Sequence, residues 1–118
     1  MAIKTTWLAN GGTYITNATA TNTGDQDDAN LKIKEWFTKS GAPTIGPQTS
    51  AAFNLAAQAS TSALPISFVV PIGQTTGVYT KHIQIVDSNT GAIVQDVITT
   101  DEIQVASGPA FTVTQTYT

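Results

Sequence analysis

Cysteine and arginine are both absent from this 118-residue chain, and His82 is its single histidine. Without cysteine there is no disulfide, no thiol nucleophile and no thiolate metal ligand. One histidine cannot furnish a tetrahedral zinc site. It also gives a Ser-His-Asp arrangement no choice of base, and no Gly-x-Ser-x-Gly elbow accompanies it. Charge is scarce as well, at 11 % of residues, where an average globular domain carries about 25 %. The five cations are all lysine (Lys4, Lys32, Lys34, Lys39 and Lys81), and the net charge is −3. That balance argues against a nucleic-acid surface, which needs clustered basic residues. Long apolar runs are missing too. The best, Ala51 to Ala59 and Leu64 to Ile72, are broken by Asn54, Gln58, Pro65 and Pro71, and a membrane span needs roughly 18 unbroken residues. Residues 1–7 lack the apolar stretch of a secretory signal. The expectation is one domain over residues 1–118, made in the cytoplasm, with no export signal, no membrane partner, no cofactor and no enzymatic activity.

What is present is threonine, spread through the whole chain, together with period-2 alternation. Threonine is β-branched and suits a pleated, half-buried surface. Leu31, Ile33 and Phe37 alternate with Lys32, Lys34 and Trp36; Tyr79, Ile83 and Ile85 alternate with Val78, Thr80, His82 and Gln84. At the carboxyl end Phe111, Val113, Gln115 and Tyr117 share one face, and Thr112, Thr114, Thr116 and Thr118 the other. Turn chemistry separates these runs at the spacing of an all-β sandwich or barrel. Asn10-Gly11-Gly12 predicts a hairpin joining Thr5–Ala9 to Thr13–Thr21. Ser40-Gly41-Ala42-Pro43 and Gly46-Pro47 mark an irregular connection. Asp87-Ser88-Asn89-Thr90-Gly91 is the strongest turn, between Ile83–Val86 and Ala92–Val97. Ala51–Ala59 reads as strand in preference to a helical turn. The pattern predicts an all-β chain of seven to nine antiparallel strands.

Residues 15–25 run an alternating strand into Asn22-Thr23-Gly24-Asp25, followed by Ala29-Asn30-Leu31-Lys32-Ile33. This resembles the B–C strand pair of bacterial and archaeal immunoglobulin-like modules. Pro71-Ile72-Gly73, Gly77-Val78-Tyr79-Thr80 and Ile83-Gln84-Ile85-Val86-Asp87 resemble their later hairpin. The resemblance implies an immunoglobulin-like β-sandwich, with Tyr79 where such folds place a tyrosine-corner residue. It covers about half of the chain and reports architecture rather than activity.

The chemistry-bearing residues are few. Asp25, Asp27 and Asp28 form the one acidic cluster and are the calcium candidates, although neither the Gly nor the Glu of an EF-hand loop stands at the matching Asn30 and Trp36. The alternative is a solvated hairpin loop. Asn17-Ala18-Thr19 fits the glycosylation acceptor pattern, a chance match being expected in so threonine-rich a chain. His82 reads as a surface residue on a sheet. Trp7, Trp36, Phe111 and Tyr117 are the interface candidates, since large aromatics dominate interfaces. Trp7, Trp36, Tyr14 and Tyr117 would serve a carbohydrate-binding module as stacking platforms. The last strand can add to a neighbouring sheet by β-augmentation.

These properties favour a protein whose product is its surface. In size, β content and lack of cysteine the chain resembles small bacteriophage capsid decoration, or cement, proteins. That likeness implies a virion component, made in the host cytoplasm, whose partners are other copies of itself and a major capsid or other virion protein. The alternative is an immunoglobulin-like spacer or adhesion module of a prokaryotic surface or pilus protein, located at the cell surface.

Overall fold

The computed structural model describes residues 5–108. Those residues are all-β, with eight strands and no helix among them. In chain order the strands are β1 (Thr5–Leu8), β2 (Thr13–Ala18), β3 (Asp28–Thr38), β4 (Ile45–Thr49), β5 (Phe53–Leu55), β6 (Leu64–Val69), β7 (Gly77–Asp87) and β8 (Ile93–Ala106). The larger sheet runs β1-β8-β7-β3-β4, with β5 also paired to β3. The smaller sheet is β2 and β6 alone, antiparallel.

The alternation read along β3 and β7 is realised, because both strands are long enough for the apolar parity to fix their register. Ile33 pairs with Ile85 and Phe37 with Lys81. Leu31, Ile33 and Phe37 are buried, and Tyr79 is buried with Ile83 and Ile85 packed against the same core. The predicted turn after β7 also forms. Asp87 Oδ1 accepts hydrogen bonds from Asn89 N and Thr90 N, at 2.8 and 3.0 Å. Gly91 N donates to Asp87 O, and Gly91 takes the left-handed φ of 76° that only glycine adopts freely. Residues 51–59 contain the short strand β5 and no helix.

Three expectations are corrected. Asn10-Gly11-Gly12 does reverse the chain, but β1 and β2 do not pair. Strand β1 joins the larger sheet beside β8, from Thr5 opposite Ile103 to Leu8 opposite Ala106, while β2 pairs with β6. The inward parity of Trp7 on one strand and Tyr14 on the other makes the two face each other across the core instead of lying side by side. The β1–β8 ladder is also parallel, so the strands are not all antiparallel. Finally, Gly46-Pro47 lies inside β4 instead of between strands. Strand β4 tolerates a proline because it is an edge strand, and the register with β3 shifts there. Gly46 has φ +90°, and a Cβ on it would sit 3.0 Å from Phe68 Cε1 and 3.2 Å from Glu35 O.

The core lies between the two sheets. Trp7, Phe37 and Phe68 form its centre, with ring centroids 5.0–5.8 Å apart. Ile66, Val70, Tyr79, Ile103 and Val105 pack around them. Close-packed aromatics of this size supply most of the apolar area that a small domain can bury.

Candidate functional site

Strand parity decides which candidate residues reach solvent. Trp7 faces inward from β1 and is 4 % exposed. It stacks on Tyr14, centroids 5.3 Å apart at 15°. The Tyr14 hydroxyl accepts from Leu8 N at 3.0 Å. Trp7 is therefore a core residue and not an interface anchor, and Tyr14 is half-buried against it. Trp7 offers no free face to a sugar. Phe111 and Tyr117 lie outside the described residues.

Trp36 has the opposite parity and stands half-buried on the outer face of the larger sheet. Its register partner on β7 is His82, and the two rings stack 5.0 Å apart at 5°. Lys34 Nζ sits 5.4 Å from the Trp36 centroid, within cation–π range. His82 Nε2 and Thr38 Oγ1 are 2.6 Å apart. This is a polar-rimmed aromatic patch on the outer face of the sheet, and its one Trp is already covered on one side.

The acidic loop is held by its own amides. Asn22 Nδ2 donates to Gln26 O at 2.7 Å and to Leu55 O at 3.2 Å. Gln58 Nε2 donates to Thr23 O and Gly24 O, both at 2.8 Å. Asp27 Oδ1 accepts from Ala57 N and Asp28 Oδ1 from Ala29 N. Each of these two carboxylates therefore accepts one backbone N–H. Among the described residues no three acidic or imidazole side chains gather where a cation could sit. The arrangement adds no support to calcium at Asp25, Asp27 and Asp28. The loop forms a wall of a groove.

That groove has an apolar floor. The smaller sheet has two strands and leaves part of the larger sheet uncovered beside β2. A cavity of about 480 Å³ opens between the acidic loop and the start of β8, and one of about 200 Å³ continues it along the chain after β2. The two share Thr21, Ile85 and Gln95. Ile33, Ile83 and Ile85 form the floor. Along one side runs β8, whose Ile93, Val94 and Val97 are 61, 50 and 38 % exposed. Strand β1 covers β8 only from Ile103 onward. Among the described residues, nothing pairs with the outer edge of β8 before that.

A second feature escaped the pattern of the sequence. Glu35 lies on the inward parity of β3 between Ile33 and Phe37 and is 0 % exposed. Its Oε1 accepts from Thr16 Oγ1 of β2 at 2.8 Å, and Lys81 Nζ of β7 stands 3.7 Å from Oε2. Oε2 itself has no hydrogen-bond partner among the described residues. The signal was available: a lone carboxylate at an inward position of an otherwise apolar strand face. The arrangement ties the two sheets together through one carboxylate.

Tyr79 completes the geometry. Its hydroxyl donates to Thr75 O, four residues upstream, at 2.7 Å and accepts from Gln74 Nε2 at 2.9 Å. No protein-family model matches the chain, and no curated protein matches it.

Proposed function

We propose that this chain is a non-enzymatic structural protein of a virus particle, a bacteriophage capsid decoration protein that binds the assembled shell and stabilises it. The observation that carries the reading is uncovered apolar surface on a chain poor in charge. Ile15, Val69 and Ile72, 57, 56 and 70 % exposed, stand on the outer side of the smaller sheet and just beyond it, and Ile93, Val94 and Val97 stand by the groove. Small soluble monomers rarely leave such residues grouped; grouped, they mark contact surfaces. Two separate patches suit a protein that touches a copy of itself with one and a capsid protein with the other. Few charges mean little desolvation cost when such faces close.

For the fold, we propose an immunoglobulin-like β-sandwich. The order β1-β8-β7-β3-β4 facing β2-β6 supports it, as does the Tyr79–Thr75 hydrogen bond, which has the form of a tyrosine corner. The same two features favour the second reading, a spacer or adhesion module of a prokaryotic surface or pilus protein.

Sedimentation of the native source separates the two. The chain, located by mass spectrometry, is expected to travel with regular particles visible by negative stain. Recovery at the top of the gradient, free or within a longer polypeptide, would reject the virion reading and leave the surface module.

A further inference from the structure

We infer that the groove beside β8 receives the segment 109–118 of a second copy of this chain, added as a strand to the open edge of β8. The inference rests on the assembly reading above and names the contact between copies.

Three observations converge on it. The first is the shape of the site. Its floor is apolar (Ile33, Ile83, Ile85), and one wall is a strand whose outer edge, among the described residues, has no backbone partner from Ile93 to the start of the β1 ladder. Among the described residues β2 pairs only with β6, so its other edge has no partner there either. An exposed strand edge beside an apolar floor is the geometry that takes up an extended peptide: main-chain hydrogen bonds hold it, and alternate side chains fill the floor. Natural edges of this kind are usually blocked by lysine, proline or a covering loop. Over Ile93–Val97 the one charge is Asp96, and no lysine or proline is present.

The second is the chemistry of the segment. Residues 109–118 read Pro-Ala-Phe-Thr-Val-Thr-Gln-Thr-Tyr-Thr, with no charged side chain. Their alternation puts Phe111, Val113, Gln115 and Tyr117 on one face, the face an isoleucine floor would accept. Threonine on the other face suits a half-exposed strand. Nothing in the segment has to shed a charge on entering beside Asp27 and Asp28.

The third is reach, and it selects the second copy over the chain's own segment. Gly108 stands at the carboxyl end of β8, where an added Cβ would meet the Leu8 side chain. From there back to Val97 is a path of about 36 Å, and to Gln95 about 43 Å, at roughly 3.3 Å per residue. A ten-residue segment spans about 33–36 Å at full extension, and part of that would be used in passing β1, which occupies the near end of the same edge. Within one chain the segment stops short of Gln95 and of the larger cavity beyond it. Between two chains no such limit applies. Each copy then donates one strand and accepts one, giving a closed dimer or an open row according to the rotation between copies.

The test uses the full chain, Val97→Lys in the full chain, a variant lacking 109–118, and a fluorescent synthetic peptide of residues 109–118. Val97 is 38 % exposed, so a lysine there is compatible with folding while placing an unpaired charge in the docked interface. Light scattering should give the full chain a mass that is a multiple of 12.3 kDa, and the monomer mass for V97K with an unchanged thermal transition. The peptide should bind the truncated variant by fluorescence anisotropy. It should bind the truncated V97K protein at least about tenfold more weakly. Should truncation prevent folding, the V97K comparison in the full chain still decides. An oligomer that persists in V97K overturns the inference while leaving the assembly reading intact. A full chain that stays monomeric while the peptide binds its truncated form also overturns it, because the segment would then be acting within one molecule. A monomer that neither binds the peptide nor travels with particles removes both.

Discussion

A single buried carboxylate sets the polarity of the core. Glu35 contacts β2 through Thr16 and β7 through Lys81, so two sheets and three strands depend on one side chain. Burying an ion pair costs desolvation that the attraction between its members only partly returns, whereas removing one member strands the other. Lys81→Met is therefore expected to destabilise the protein by roughly 3 kcal/mol or more. Adding Glu35→Met should recover most of that loss, since two unbranched apolar side chains then fill the same space. Denaturant unfolding of the two single variants and the double variant measures the coupling. Additive losses, with no recovery in the double variant, would show that the pair is not energetically linked. At this scale the sequence was partly legible. The parity of Leu31, Ile33 and Phe37 forces Glu35 inward, yet nothing local says that its partners are Thr16, nineteen residues earlier, and Lys81 on a later strand. The same parity argument separates Trp7 from Trp36, and it follows only once each strand's inner face is known.

Among the elements, the β7–β8 hairpin is the most locally determined. The Asp87 carboxylate accepts the N–H groups of Thr90 and Asn89, and these hydrogen bonds hold its carboxyl below the ordinary aspartate range. A pKa depressed in the folded chain means stabilisation that is fully present above the unfolded value of about 3.9 and is lost as pH falls through the lower, folded value. The amide resonances of Asn89 and Thr90 should therefore titrate with a midpoint below about 3.9, the turn loosening only beneath it. A midpoint at or above that value would show that the carboxylate does not hold the turn. Turn residues and alternation lie within twenty positions of each other here, which is why this hairpin could be read in advance. The β1–β8 ladder could not, because it joins Thr5 to Ile103 across nearly the whole chain. The Asn10-Gly11-Gly12 signal specified a reversal, and a reversal is equally consistent with crossing from one sheet to the other.

Taken whole, the described chain is a six-stranded sheet only partly covered by a two-stranded one. The groove is a consequence of that mismatch. No motif encodes it, since it arises from what the smaller sheet does not cover, and the sequence of the acidic loop does not show that the loop forms one of its walls. Ile15, Val69 and Ile72 on and beside the smaller sheet, and Ile93, Val94 and Val97 on β8, form two separate groups of exposed apolar side chains.

The parallel pairing of β1 with β8 also determines how the fold bears tension. Where two neighbouring strands run the same way, the start of one and the finish of the other point in opposite directions along a common axis. Pulling Thr5 away from Ala106 loads all four rungs of that ladder at once, in shear. Strands β7 and β8 are antiparallel, with Gly77 opposite Val105, so pulling those two positions apart opens their rungs one after another. Attachment at positions 5 and 106 is therefore expected to need a higher rupture force than attachment at 77 and 105 in single-molecule extension, and equal forces would rule out the shear clamp. A domain braced in this way resists a pull along its length while remaining easy to unzip from one corner.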